Sequence, residues 1–298
     1  MQRADLSGVF APMVTPFGVD DAVLLSGVVE NVHRLNATGL RGYFILGTNG
    51  EYKALTGEER LQVLDVVMQH RAPGKVVMAG CGAESTKETI DLACRAADRG
   101  VDFASVLMPS FFAKKMTAQV MIRHAQAVAD ASPIPVVLYN NPAVAAGVTI
   151  GPEVLAGLAG HPNIAGIKDS SQETYLENLK SSSPQFSVLA GSANYFTDLL
   201  RRGGTGGVLS LANVLPDACV ALYQAVRAGH RAEEERLDRL LVELNGRVSG
   251  RYGVAGVKAA MTLCGFVGGV PRRPFLPLDA GAVSELRTVM EESGLLSR

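Results

Sequence analysis

Apolar residues along this chain gather in short runs and do not alternate with polar ones. GVFAPMV (8–14), GYFILG (42–47), VVMAGCG (76–82), FASVLMP (103–109), PVVLYNN (135–141), IAGIKDS (164–170), FSVLAGS (186–192) and GGVLSLAN (206–213) make eight such runs. A strand that is apolar on both faces must be covered by helices on both faces, the condition met in parallel sheets. Segments of helical period lie between the runs. Thr56 and Glu59 form a capping-box pattern ahead of LQVLDVVMQHR, and Ser85 and Glu88 repeat it ahead of TIDLACRAAD, which stops at Gly100. Thr117 starts a helix that runs to about Ala131, while Pro152 and Pro216 sit where a first-turn proline opens one. Eight strands each followed by a helix predict an α/β fold of the (β/α)8 TIM-barrel type, because parallel strands need right-handed crossovers and eight of them close around a packed interior. A doubly wound open sheet is the second choice. Past His230 the chain turns to charged helical sequence, AEEERLDRLLVEL, then GVAGVKAAMTLCG, then a helix from about Asp279 to Met290. The expected organisation is a barrel over 1–230 and a C-terminal helical extension over 231–298, packed on it as one structural unit with no Pro/Gly/Ser-rich linker between.

Composition narrows the partners. With 298 residues, 47% of them hydrophobic, the chain can bury a large core. A formal charge of −1 supplies no single-signed field for nucleic acid or an anionic membrane, so small molecules are the expected partners. Cys81, Cys94, Cys219 and Cys264 are scattered without a CxxC spacing, which fits a reducing cytoplasm better than a disulfide framework or a zinc site. The opening MQRADLSGVFAPMVTPF has Arg3 and Asp5 but no continuous apolar stretch of the kind a secretory leader requires, and no later stretch is long enough to span a bilayer.

A barrel of this kind carries its chemistry at the C-terminal ends of the strands. The reactive side chains at those ends are Thr48, Asn49 and Glu51; Cys81; Tyr139 and Asn140; Lys168 and Asp169; Ser192; and Ser210 and Asn213. Lys168 stands in the apolar strand IAGIKDS, where burying an ammonium costs several kcal/mol unless it is paired or neutralised. Two readings stay open: a desolvated neutral amine that attacks a ketone to form an imine, or a structural lysine that pairs with Asp169 or snorkels at the barrel mouth. Tyr139 ends the preceding strand, either as a proton carrier for that imine or as a packed ring with its hydroxyl tied to backbone. Gly47-Thr48-Asn49-Gly50-Glu51 can turn backbone N–H groups and a hydroxyl toward a carboxylate, as a 2-oxo acid needs, or can be an ordinary strand-to-helix turn in which Glu51 has no chemistry.

Other motifs fall away. GCGAES lacks the third glycine of a dinucleotide fingerprint, GGTGG precedes a strand instead of following one, and no GxxxxGK[ST], HExxH or GxSxG occurs. The five histidines are far apart. Neither a cofactor nor a metal is expected.

GTNGEYKALTGEER (47–60), AGCGAEST (79–86), SPIPVVLYNNP (132–142), HPNIAGIKDSS (161–171), VLAGSA (188–193), GGVLSLANVLP (206–216) and YGVAGVKAAM (252–261) together resemble the dihydrodipicolinate synthase / N-acetylneuraminate lyase family of class I aldolases over nearly the full length, and within it the 4-hydroxy-2-oxoglutarate aldolase branch. The resemblance implies Lys168 as the Schiff-base lysine and Tyr139 as the acid/base tyrosine. It implies that Thr48 and Asn49, in place of the family's Thr-Thr pair, hold a pyruvate carboxylate, with Gly191 and Leu209 lining the pocket. It also implies a homotetramer in which a tyrosine from a neighbouring subunit completes a proton relay. Two departures stand out. The family's Tyr-Tyr is Phe111-Phe112 here, so that relay hydroxyl is missing. The arginine that synthases place after the YNxP turn has Val144 as its nearest counterpart, which counts against lysine-pathway synthesis. The activity implied is cleavage of a 4-hydroxy-2-oxo acid, such as 4-hydroxy-2-oxoglutarate, to pyruvate and an aldehyde. Its rivals are a dehydratase or deaminase, a dihydrodipicolinate-synthase-like condensation on the same imine, and a non-catalytic binder of 2-oxo acids.

Overall fold

The computed structural model describes residues 5–183 and 185–294; Arg3 and the last four residues of the expected extension lie outside them. Eight parallel strands close a barrel in chain order. They are β1 Gly8–Pro12, β2 Gly42–Ile45, β3 Val76–Gly80, β4 Phe103–Leu107, β5 Val136–Asn140, β6 Ile164–Asp169, β7 Ser187–Ala190 and β8 Gly206–Val208. Each lies within one of the eight apolar runs and stops short of the run's end, because the last residues of each run leave the ladder to build the rim. After the strands in turn come α1 Leu25–Asn36, α2 Gly57–His70, α3 Thr86–Ala97, α4 Ala118–Ala131, α5 Pro152–Ala156, α6 Tyr175–Lys180, α7 Phe196–Arg201 and α8 Pro216–Ala228. Three more helices, α9 Arg231–Asn245, α10 Arg251–Leu263 and α11 Ala280–Glu292, follow beyond the eighth unit. This is the (β/α)8 TIM barrel, and not the open sheet. Among the described residues no helix is long and apolar enough to cross a membrane.

The helix ends follow local chemistry. Thr56 caps α2 with a complete capping box, Thr117 accepts from Val120 N at the start of α4, and Asp279 accepts from Ala282 N at the start of α11. Ser85 caps α3 through Glu88 N at 3.2 Å. Pro152 and Pro216 occupy first-turn positions of α5 and α8. Helix α1 has no side-chain cap, and α6 and α7 are six residues each, too short to show a period in the sequence.

The chain forms two compact units, one over 76–208 with the first described residues, the other joining 9–75 to 209 onward. In the first, Phe103, Val106, Leu138, Ile167 and Leu189 are fully buried, each such side chain contributing roughly 1.5–3 kcal/mol through burial. In the second, Asn31 on α1 exchanges two hydrogen bonds with the backbone of Val267, at 2.8 and 2.9 Å, which ties the turn after α10 to the first helix.

One irregularity sets the phase of β6. Val136 pairs with Ile164, but the next pairs are Val137 with Gly166, Leu138 with Ile167, Tyr139 with Lys168 and Asn140 with Asp169. The one-residue bulge moves every later side chain of β6 to the opposite face from an unbroken register. Without it, Ile167 would stand beside Tyr139 in place of Lys168.

Candidate active site

In the first unit Tyr139 and Lys168 are cross-strand partners, and both are buried, with 4% and 5% of their surface exposed. The Lys168 Nζ lies 4.1 Å from the centroid of the Tyr139 ring. Burial pushes the Lys168 amine below the ordinary lysine range, while the nearby Tyr139 hydroxyl opposes the shift through charge and a hydrogen bond. A proton is therefore held less tightly than on a surface lysine, and the free amine needed for attack on a ketone is easier to form.

The pairing of Lys168 with Asp169 that the sequence left open is not what the structure builds. Successive residues of a strand point to opposite faces. The Asp169 carboxylate, fully buried, accepts from Asn140 Nδ2 at 2.8 Å, Ser171 N at 2.9 Å, Thr174 Oγ1 at 2.9 Å and Asn178 Nδ2 at 2.7 Å. Asn178 belongs to α6, so this side faces the helix layer and Lys168, on the other face, points into the barrel. Burial raises the Asp169 pKa, with its hydrogen bonds pulling the other way. The peptide oxygen of Asp169 accepts from the Tyr195 hydroxyl at 2.8 Å, and Tyr195 stacks on Tyr175 with centroids 4.4 Å apart. The end of β6 is thus clamped from its outer side. At the end of β7, Gly191 N donates to Asp169 O at 2.7 Å, and any Cβ there would lie 1.9 Å from Ser170 Oγ, so only glycine fits.

In the second unit the Gly47–Glu51 turn follows β2. Thr48 O accepts from Glu51 N at 3.0 Å, Asn49 Nδ2 donates to Ser210 Oγ at 3.0 Å, and the Thr15 hydroxyl donates to Gly50 O at 2.8 Å. Leu209 is fully buried beside Ser210, with its N–H donating to Phe10 O at 3.2 Å.

Glu51 proves to be more than a turn residue. It adopts the left-handed conformation at φ 50°, and its side chain turns inward to meet Lys258 Nζ at 2.5 Å, both side chains being almost fully buried. Its other oxygen accepts from Arg272 N at 2.9 Å, and Lys258 also donates to Val270 O at 2.8 Å. Burial holds the Lys258 amine down to about 8, with Glu51 opposing. The turn is thereby fastened to α10 and the segment after it.

Phe111 and Phe112 are 79% and 71% exposed and pack edge to face on each other, while Val144 is 44% exposed. Sequence reading did not single out Asn141, whose Nδ2 donates to the Tyr139 hydroxyl at 2.8 Å, although a residue two along an extended segment shares its neighbour's face. It also missed Thr174, Asn178, Tyr195 and Lys258, whose partners are distant in sequence. Among the described residues no group of three or more His, Cys, Asp or Glu side chains is arranged to hold a metal ion.

The fold is a closed (β/α)8 barrel in which a desolvated lysine and a tyrosine stand side by side on adjacent strands. Residues 5–293 match the model of the dihydrodipicolinate synthetase family, and the chain belongs to that family, whose members are lyases and synthases. It is 33% identical over 303 residues to a probable 4-hydroxy-2-oxoglutarate aldolase, mitochondrial, of Emericella nidulans, covering 99% of this chain and 97% of that protein. It is also 33% identical over 292 residues to a 4-hydroxy-tetrahydrodipicolinate synthase of Exiguobacterium sp., covering 96% of this chain and 97% of the relative. Among solved structures, YagE, a prophage protein of the same family from E. coli K12 in complex with pyruvate, superposes with a TM-score of 0.90 at 29% identity, covering 98% of this chain and 99% of that one.

Proposed function

We propose that this enzyme is a Schiff-base-forming aldolase that cleaves a 4-hydroxy-2-oxo acid, with 4-hydroxy-2-oxoglutarate the first substrate to try, into pyruvate and an aldehyde. The observation that carries the reading is the Lys168 amine, buried, lowered in basicity and set against Tyr139 with Asp169 engaged on the other side of the strand. Membership of the family is what supports giving Thr48, Asn49 and Lys168 a common substrate. Thr48 and Asn49 then hold the carboxylate, and Gly191 and Leu209 line the pocket. Lys168 attacks the 2-oxo carbon, and the iminium so formed draws the electron pair of the breaking C3–C4 bond. Tyr139 takes the proton of the 4-hydroxyl.

Incubation with pyruvate and borohydride, followed by peptide mapping, is expected to place a reduced adduct on Lys168. Pyruvate-dependent thermal stabilisation with no adduct and no product would instead leave a binding protein. A dihydrodipicolinate-synthase-like condensation is the second reading, favoured by the relatives that carry that activity in their names. Product analysis with a 4-hydroxy-2-oxo acid against pyruvate plus an amino-aldehyde separates the two, and water or ammonia release identifies a dehydratase or deaminase. We further place the enzyme in the cytoplasm as a homotetramer. The exposed Phe111–Phe112 pair supports association, and sedimentation tests it.

A further inference from the structure

The Tyr139 hydroxyl has a second neighbour besides the lysine. Asn141 donates to it from Nδ2 at 2.8 Å, and Asn141 is half-buried at the start of the short turn Pro142–Val144, whose end its side chain does not cap. Its amide is thus not needed to satisfy the local backbone. Tyr139, in turn, sits with its ring against the Lys168 amine. The three side chains contact one another in turn, amide to phenol to amine, within one unit of the chain.

We infer that Asn141 is a positioning residue for the lyase reaction: its amide aims the Tyr139 phenol at the Lys168 adduct and steadies the phenolate that forms there. The inference rests on the lyase reading. In that reaction the carbinolamine on Lys168 loses its hydroxyl as the C–O bond breaks, and Tyr139 gives up its proton so that the group departs as water. The nitrogen lone pair closes the iminium, and a phenolate remains. That phenolate then takes the proton of the 4-hydroxyl while the C3–C4 pair flows into the iminium, leaving an enamine and an aldehyde. Between the two transfers a negative oxygen sits in a buried place, and an N–H donor is what favours the charged form there. The bond becomes charge-assisted at that moment and strengthens. Phe111 and Phe112 offer that oxygen no donor, having neither O–H nor N–H on their rings.

The test uses the full-length enzyme with Asn141→Ala and Asn141→Asp beside Tyr139→Phe. With the 4-hydroxy-2-oxo acid that the unaltered enzyme cleaves, Asn141→Ala is expected to lower kcat about tenfold or more with KM little changed. The limb of the pH–rate profile that Tyr139→Phe abolishes moves to higher pH, because the donor that favoured the phenolate is gone. Asn141→Asp moves it further, since a carboxylate repels the phenolate. An adduct on Lys168 in all forms, with that limb and kcat unmoved in Asn141→Ala, overturns the inference while the imine reading stands. A rise in KM alone overturns it too, by making Asn141 a substrate contact. Absence of the adduct in the unaltered enzyme overturns the lyase reading and this inference with it.

Discussion

Tyr139 and Lys168 face each other across the β5–β6 ladder only because β6 carries one extra residue between its pairing with Val136 and its pairing with Val137. The amine then rests 4.1 Å from the ring centroid on the inner face, and the aspartate that follows it is left to the outer face.

Replacing Lys168 separates chemistry from stability. Its folded pKa lies below the unfolded one, so the folded protein binds the proton less well and holding a charge there at neutral pH opposes folding. Lys168→Met is expected to abolish adduct formation and lower turnover by at least about 10³-fold. Its melting temperature at pH 7 should equal or exceed that of the unaltered enzyme. A large fall in melting temperature would show instead that the lysine is a structural tie.

Asp169 is expected to behave in the opposite way. Asp169→Ala removes the acceptor shared by Asn140, Thr174 and Asn178, leaving Asn140 and Asn178 only their bonds to Thr174 Oγ1 and Ile150 O, and urea unfolding should show a loss of about 3 kcal/mol or more. Near-native stability in this variant would mean that the network does not clamp β6.

Glu51 and Lys258 form a buried pair in which either single change strands the other charge. Glu51→Gln or Lys258→Met is expected to cost about 3–5 kcal/mol, and the double variant much less than the sum. The pH dependence has a definite sign. Lys258 titrates at about 8 in the fold against 10.5 unfolded, so between those values the unfolded chain binds more protons and this site makes stability rise with pH. The groups around it are Glu51, Arg272 and, through Arg272, Glu59. Unfolding free energies measured from pH 7.5 to 10.5 should lose that slope in Lys258→Met.

Glu59 sets part of the acid limit. The Arg272 guanidinium pairs with it at 2.5 Å and holds its carboxyl down to about 2. A depressed carboxylate contributes stability above its unfolded value of 4.5 and loses it as the pH falls toward 2. The pair is less than one-fifth exposed, and Glu59→Gln is expected to remove about 1 kcal/mol at pH 7 and to flatten the acid arm of the unfolding curve between pH 4.5 and 2.5. An acid arm identical to that of the unaltered enzyme would show that the pair contributes nothing.

What the chain by itself determined is local or periodic. Apolar runs of strand length, the Thr56, Thr117 and Asp279 caps, and the first-turn prolines all act within a few residues, so the eight strands and most helices were legible. Lys168 was legible for the same reason, as a charge inside an apolar run. The first helix went unread although Val28, Val32 and Leu35 give it one apolar face at helical spacing, because no capping residue announces it. Tertiary structure decided what remains. Which face Lys168 takes depends on a bulge whose stability comes from pairing with β5, and nothing in IAGIKDS alone distinguishes the two registers. Whether Asp169 neutralises Lys168 depends on donors 5 to 29 residues away, and Glu51 became a buried ion-pair partner because Arg272, 221 residues on, and Lys258 are folded against its turn. Side-chain period and capping are short-range properties of a sequence, whereas the desolvation that makes an amine reactive or a carboxylate structural exists only once distant segments have excluded water around it.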